Sequence, residues 1–312
     1  MPRKRKKQHR NYAAPLLIAA ILLAGVIWAI WPQTPRHSHK RTAHTYHAAP
    51  AVAVATTMPS PTVTPASAVE AQASASPQQL ATAAQQTLAP ASATAPRVAI
   101  IIDDCGQWPK TERAYLQLPI PLTMAVLPHV AFTAEIAQAA AGAGKGVMLH
   151  LPMEPLSHRR AGPGEIDDSM SDDDVTKQTE DDVAQVPLAE GLNNHEGSEA
   201  SADARVMRDV VAVAKSHDLF FIDSRTNVKT VGADEAAAAG VPNASRDVFL
   251  DNRADVAYTE SMLERTVAIA ESKGSAIAIG HPKPTTLEAL RAMYPRMEAA
   301  GVQFVLAKDL VR

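Results

Sequence analysis

From residue 97 to the C-terminus, short apolar runs alternate with amphipathic stretches, and this alternation constrains the fold more than any other feature. Apolar, β-branched runs bounded by turn residues predict buried strands, and apolar residues at helical spacing, as in 203–216, predict helices packed on a sheet. Repeated β-α units of this kind predict a parallel sheet, open or closed into a barrel. About seven strands favour a distorted, incomplete (β/α) barrel. The predicted strands are 98–103, 122–127, 147–151, 219–223, 247–251, 275–280 and 302–306.

The first of these runs, 98–102, stops on Asp103 and Asp104. Because successive residues of a strand point to opposite faces, the two carboxylates are expected to occupy different environments. One carboxylate is then available to bind a metal while the other handles a proton. The competing interpretation is a strand that runs into a turn, where Asp is common.

Charged and imidazole side chains also follow the later predicted strands. In parallel α/β folds the chemistry collects at the C-terminal ends of the strands. Several strands in succession that end on His, Asp or Arg are hard to explain by folding alone, so their convergence predicts an enzyme. These residues are His150 and Glu154 after 147–151, Asp223 and Arg225 after 219–223, and His281 after 275–280.

Six sequence blocks occur in order along 97–312. They are Ile101-Ile102-Asp103-Asp104, Met148-Leu149-His150-Leu151-Pro152-Met153-Glu154-Pro155, Gly191-Leu192-Asn193-Asn194-His195, Phe221-Ile222-Asp223-Ser224-Arg225-Thr226, Arg246-Asp247-Val248-Phe249-Leu250-Asp251-Asn252 and Ile279-Gly280-His281-Pro282. Together they resemble the divergent polysaccharide deacetylase family. The resemblance implies a distorted barrel with a paired Asp after the first strand.

The resemblance also implies a metal site. Asp103 matches the general base of the deacetylases, Asp104 the metal-binding carboxylate and His150 the first metal-binding histidine. The second histidine of the family pattern falls at Glu154, so either Glu154 or His195 completes the set. Imidazole and carboxylate ligands favour a divalent metal, with Zn²⁺ as the predicted ion.

The implied activity is hydrolysis of N-acetyl (or O-acetyl) groups on a cell-envelope polysaccharide. His281 matches the general acid, and Asp223 and Arg225 would orient the reacting groups. Retention of Asp103 and His281 favours catalysis. The departure at Glu154 keeps a second hypothesis open, namely a catalytically degenerate carbohydrate-binding or envelope scaffold protein with the deacetylase fold.

The N-terminal sequence predicts the location. Residues 1–12 carry a basic cluster, and 13–31 are uncharged, apolar and close to the length that spans a bilayer. This pattern predicts a cytoplasmic tail, a single transmembrane anchor in the inner membrane, and a periplasmic or extracellular remainder. A cleaved signal peptide is the alternative, although its apolar core is normally shorter. Residues 32–96, rich in Pro, Ala, Ser and Thr, predict a disordered linker to a catalytic domain at 97–312.

Charge and cysteine content limit the partners. A net charge of −3 gives no reason to expect nucleic acid. The expected partners are the glycan substrate and the membrane contacted by 13–31, and the sequence names no protein partner. The single cysteine, Cys105, excludes an intramolecular disulfide. Ser171 followed by acidic residues predicts a capped helix over 172–184, in a region expected to cover the site.

Overall fold

The computed structural model of the protein describes residues 95–312. The predicted basic tail, the membrane anchor and all but the last two residues of the linker lie outside the described residues. Within 95–312, no helix has both the length and the apolar character needed to cross a membrane.

Nine strands form a single sheet in which every hydrogen-bonded pair is parallel. The strands are β1 (Arg97–Cys105), β2 (Thr123–Val126), β3 (Gly146–Met153), β4 (Gly191–Glu196), β5 (Phe220–Asp223), β6 (Asn243–Ser245), β7 (Val248–Phe249), β8 (Ser275–Gly280) and β9 (Gln303–Val305). Their order is β6-β5-β4-β3-β2-β1-β8-β7, and β9 also pairs with β1. The predicted parallel α/β fold is therefore confirmed, with two more strands than expected.

Helices connect most of these strands in the described part of the chain. They are α1 (Pro109–Leu116), α2 (Thr133–Gly142), α3 (Asp172–Gln185), α4 (Ala204–Ser216), α5 (Gly232–Ala239), α6 (Val256–Lys273) and α7 (Pro284–Ala299). Helix α3 begins as predicted after Ser171, whose hydroxyl oxygen accepts a hydrogen bond from the Asp174 backbone N–H at 3.3 Å. Such a cap satisfies one of the free N–H groups at the start of the helix.

The barrel is incomplete because its two edge strands, β6 and β7, are joined by the chain rather than by strand pairing. They are consecutive in sequence and lie at opposite ends of the strand order. Between them, Arg246 N–H donates to the Asp223 carbonyl at 3.0 Å, and Asp247 N–H donates to the Ile277 carbonyl at 2.9 Å. The segment thus crosses from the β5 side to the β8 side, and the sheet remains open there.

Strand β1 is buried on both faces and organises the core. Val98, Ile100 and Ile102 belong to the large apolar cluster that includes helix residues. Ala99 and Ile101 belong to a second, smaller cluster that also contains Val305 and Ala307 from the C-terminal segment. This two-sided burial explains why β1 reads as an unbroken apolar run rather than as an alternating one.

Candidate active site

The C-terminal end of β1 contains an irregularity that brings two adjacent carboxylates together. Ile102 pairs with Met124 and Cys105 with Val126, so β1 carries one residue more than β2 across this interval. Asp104 has a φ of 56°, in the left-handed region, which redirects its side chain. Asp103 Oδ2 and Asp104 Oδ1 consequently lie 3.7 and 3.2 Å from His150 Nε2. The two carboxylates therefore approach the same imidazole, which successive side chains of a regular strand would not do, although Asp103 is buried and Asp104 is partly exposed.

Asp104, His150 and His195 form a compact group at the ends of β1, β3 and β4. Asp104 Oδ1 lies 3.2 Å from His150 Nε2 and 2.8 Å from His195 Nδ1. The two imidazole nitrogens are 3.1 Å apart. Each residue thus directs one potential ligand atom toward a common point. One carboxylate and two imidazoles are a donor set that suits Zn²⁺ and leaves positions free for water or substrate.

The environment of Asp104 tests whether this group fits a cation. Its Oδ1 atom is buried and makes no hydrogen bond of acceptable geometry, despite the two nearby ring nitrogens. A buried oxygen without a hydrogen-bond partner is costly unless something else compensates it. Burial acts to raise the pKa of Asp104, but the contacts with His150 and His195 outweigh it and hold this pKa well below its usual range. An ionised oxygen at the centre of the group fits a divalent metal.

Asn193, on β4, determines which nitrogen of His150 faces this group. Asn193 Nδ2 donates to Asp103 Oδ1 at 2.9 Å, so its Oδ1 is the end that lies 2.8 Å from His150 Nδ1. An amide oxygen accepts, so His150 Nδ1 carries a proton, and in the neutral imidazole Nε2 keeps its lone pair. This arrangement is the usual way in which a second hydrogen bond orients a metal-binding imidazole. Asn193 was present in the predicted Asn-Asn-His block but had been given no role.

Asp103 is buried at the end of β1, with 3% of its surface exposed. Burial raises its pKa, while His150 and the Asn193 amide oppose this effect and neighbouring Asp104 adds to it. Its Oδ1 accepts the Asn193 hydrogen bond, which leaves Oδ2 toward His150. A buried carboxylate with a raised pKa and one uncommitted oxygen is a stronger proton acceptor than an ordinary aspartate.

His281, after β8, faces the same group from the other side of β1. Its Nε2 lies 3.7 Å from Asp104 Oδ2, and its Nδ1 lies 2.9 Å from Asp251 Oδ1. Asp251 Oδ2 accepts from the His281 backbone N–H and from Thr286 Oγ1, both at 2.8 Å. Burial opposes protonation of His281, but Asp251 and then Asp104 raise its pKa overall. Asp251 ends the predicted strand 247–251, yet its pairing with His281 could not be read from sequence spacing.

Three of the predicted site residues lie apart from the group. Glu154 Oε1 contacts His158 Nδ1 at 2.9 Å, and its other oxygen accepts from the Asp168 backbone N–H at 3.2 Å. The structure therefore brings His195, and not Glu154, to Asp104 and His150. Glu154 points away because it follows the end of β3, where the chain turns toward the 154–168 loop.

Asp223 is the last residue of β5, and Arg225 lies in the loop that follows it. Asp223 accepts hydrogen bonds from the Arg225 backbone N–H at 2.8 Å and from Thr230 Oγ1 at 3.0 Å. The exposed Arg225 has a φ of 51°, and its carbonyl accepts from Arg246 Nη2 at 3.0 Å. Asp223 thus holds the loop in place, and neither residue contacts the aspartates or histidines of the group within the described residues. No direct contact between these two residues and the reacting groups supports their predicted orienting role.

A groove of about 500 Å³ opens beside the group. Asp104 and His281 form its polar end. Its lining residues are Asp104, Trp108, Thr111, His281, Pro282, Lys283 and Pro284. A concave, mostly apolar surface that ends at a few convergent polar groups is typical of a small-molecule or glycan site.

Comparisons with known proteins point to the family already suggested by the sequence blocks. Residues 100–311 match the model of the divergent polysaccharide deacetylase family. The protein YibQ of Escherichia coli (strain K12) is 36% identical over 197 residues, which cover 63% of this chain and 62% of YibQ. A protein of Haemophilus influenzae is 34% identical over 196 residues, which cover 63% of this chain and 70% of that protein. The chain therefore spans less than two thirds of the length of YibQ.

A solved structure also has this fold. The crystal structure of ATU2773 from Agrobacterium tumefaciens C58 superimposes with a TM-score of 0.67 at 21% sequence identity. The superposition covers 70% of this chain and 91% of that chain. At this identity the similarity concerns the fold alone.

Proposed function

Because the chain belongs to the divergent polysaccharide deacetylase family, we propose that it is a metal-dependent hydrolase that removes N-acetyl groups, or O-acetyl groups, from a cell-envelope polysaccharide. The observation that carries the proposal is the convergence of Asp104 Oδ1, His150 Nε2 and His195 Nδ1, mutually 2.8–3.2 Å apart. These three residues would hold one divalent ion, and their mixed nitrogen and oxygen donors favour Zn²⁺. A metal bound there would polarise the acetyl carbonyl and lower the pKa of water.

The side chains around the group supply the proton transfers. Asp103 Oδ2, left free by the Asn193 hydrogen bond to Oδ1, accepts a proton from the attacking water. His281 Nε2 donates a proton to the departing nitrogen or oxygen. Asp251 accepts the His281 Nδ1 proton at 2.9 Å, and so keeps Nε2 directed toward Asp104. The acid and the base thus stand on opposite sides of Asp104.

The alternative, a glycan-binding scaffold without turnover, drew its support from Glu154 at the position of a metal-binding histidine. His195 beside Asp104 and His150 supplies a third ligand from a different strand, so the departure at Glu154 no longer argues against a metal site. The two functions are best separated by testing the metal ligands and the base independently.

The first test concerns the metal. Chelation should lower the melting temperature of the wild-type full chain, because a ligand that binds only the folded state stabilises it by mass action. Glu154→Ala should respond to the chelator like wild type, whereas His195→Ala should not respond. Metal content measured on the same samples should follow the same pattern. A Glu154→Ala protein without metal beside a metal-containing His195→Ala protein would contradict the assignment.

The second test concerns the base. Asp103→Asn nearly preserves shape while it removes the proton acceptor, so it should retain fold and metal. Acetate release from N-acetylated glycan oligomers should fall by ~10²–10⁴, the usual cost of losing a general base. Undiminished release would place the base elsewhere. If wild type and Asp103→Asn both bind the oligomers but release nothing, the scaffold function is correct.

A further inference from the structure

We propose that Trp108, which lines the groove together with Pro282 and Pro284, forms a subsite that stacks against one pyranose ring of a β-1,4-linked N-acetylhexosamine chain. The inference rests on the proposed function, which supplies the acetylated glycan, and it adds how a neighbouring part of the chain is recognised. The three side chains line the groove that ends at Asp104 and His281. A ring held there lies beside the group that the acetyl would reach.

Trp108 is unusual in its exposure. Its relative accessibility is 49%, and within residues 95–312 only three other large apolar side chains are exposed, namely Leu156, Leu188 and Val228. A single exposed apolar residue is ordinary on a protein surface. Trp108 differs from the other three because it lines the groove that also contains the proposed acid and the carboxylate at the centre of the metal group.

The backbone that carries Trp108 is held firmly. Trp108 N–H donates to Glu112 Oε1 at 2.7 Å, and Gln107 N–H donates to the same oxygen at 3.0 Å. Glu112 is fully buried, and its own backbone N–H donates to the Trp108 carbonyl at 3.0 Å. An aromatic ring on a fixed backbone loses little conformational entropy on binding, which favours it as a ligand platform.

The same helix also fixes the segment that follows β8. Tyr115, on α1, places its hydroxyl 3.0 Å from the His281 carbonyl and 2.8 Å from the Lys283 carbonyl. Helix α1 therefore joins Trp108 through Glu112 and the 281–283 segment through Tyr115. The spacing across the groove is set by one element, so the groove exists before a ligand arrives.

The chemistry of the groove suits a sugar ring. The axial C–H groups of a β-linked pyranose form an apolar face that packs on an indole, and the two prolines extend the apolar lining of the groove. Lys283 Nζ, held by the Asp251 carbonyl at 2.9 Å, has protons left for ring hydroxyls. The combination of apolar walls with a donor at the rim is what an amphipathic carbohydrate ring requires.

Fluorescence tests the subsite directly, because Trp28 and Trp31 are the only other tryptophans in the sequence. In the full chain with Trp28→Phe and Trp31→Phe, in detergent, Trp108 is the sole tryptophan. Addition of an N-acetylglucosamine hexamer should shift its emission to shorter wavelength with a saturable dose dependence. An emission spectrum unchanged at concentrations where the hexamer binds by calorimetry, or an absence of binding, would overturn the proposal.

Substitutions of Trp108 test how much its side chain contributes to the affinity for the hexamer. Trp108→Ala should weaken hexamer binding by roughly tenfold, the size expected for loss of an aromatic stacking contact, and Trp108→Tyr should recover most of it. Leu188→Ala, which removes an exposed apolar side chain outside the groove, is the matched control and should bind like wild type. Equal affinity of Trp108→Ala and wild type would overturn the subsite.

The binding measurements separate this inference from the proposed function. If wild type releases no acetate but Trp108 responds to the hexamer, the subsite stands and the hydrolase function fails. If acetate is released while Trp108→Ala loses no more activity on the hexamer than on 4-nitrophenyl acetate, the hydrolase stands and the subsite fails.

Discussion

Among single residues, Asn193 has a role in the site that the sequence alone does not indicate. Its amide group joins Asp103 to His150 and also donates to Ser224 Oγ at 3.2 Å. A single side chain on β4 therefore links polar groups from β1, from β3 and from the residue after β5. Its neighbours Asp103 and His150 were predicted as site residues because acids and imidazoles after strands suggest chemistry. An asparagine in a polar block suggests a turn just as strongly. Only the three-dimensional neighbourhood distinguishes the two.

Asp182, on α3, leads to a prediction about pH. Its side chain is 0% exposed, and Oδ1 lies 2.9 Å from His129 Nε2 and 3.0 Å from Gln178 Nε2. Burial raises its pKa to about 8, with Gln178 lowering it and Asp181 adding to the rise. The unfolded chain releases this proton near the ordinary value of 3.8. Between these two pH values the folded state holds more protons, so stability is greatest at the acidic end and falls as pH rises toward 8.

Asp182→Asn removes this dependence, because the amide does not ionise. Urea unfolding of the wild-type chain should show a free energy that falls from pH 5 to pH 8 by more than that of Asp182→Asn. The difference between the two proteins is limited to about 1.4 kcal/mol per pH unit. Effects of groups that do not contact Asp182 are shared by both proteins and cancel, so the comparison reports on Asp182 together with its contact His129. Parallel pH profiles would show that Asp182 is ionised throughout.

At the level of elements, the sequence predicted the strands that are apolar and missed those that are not. Each of the seven predicted runs contains a strand. Strand β4 was not predicted because Asn193, Asn194 and His195 leave it without an apolar run. In the structure these polar side chains form hydrogen bonds with partners on β1, on β3 and in the loop after β5. Strand β6 has only three residues. The irregularity in β1 also has no recognisable sequence pattern, since it depends on the pairing of β1 with β2.

Strand β4 also provides a stability prediction. Gly191 pairs with Phe220, and a Cβ on Gly191 would lie 2.5 Å from Cδ2 and Cε2 of that ring. Phe220 is buried, so its ring has little room to move. Gly191→Ala should therefore destabilise the protein by ~1–3 kcal/mol, the usual cost of overpacking.

Gly142→Ala is the matched control for Gly191→Ala. It lies at the end of α2 with open space around its Cβ position, and its φ is not in the left-handed region. It should leave stability unchanged or raise it by up to about 1 kcal/mol. Equal unfolding free energies for the two variants would mean that β4 and β5 separate more easily than their pairing indicates.

At the level of the whole molecule, the N-terminal segment joins the domain at one end of β1, and the proposed catalytic residues lie at the other end. The chain enters β1 at Arg97, and the proposed base and metal ligand lie at the other end of the strand. If 13–31 anchors the chain, as the sequence predicts, the domain would act on glycan while it is attached to the membrane.

This arrangement requires that the domain be exported and retained at the membrane. The basic cluster before an uncharged apolar segment predicts a cytoplasmic N-terminus, because positively charged residues stay on the cytoplasmic side. A reporter that is active only outside the cytoplasm should therefore be active when fused after residue 60 and inactive when fused after residue 10. The full chain should sediment with membranes and resist extraction by high salt, which removes only electrostatically bound proteins. Recovery of a soluble form that begins between residues 32 and 60 would instead reveal a cleaved signal peptide, and the domain would then act unanchored.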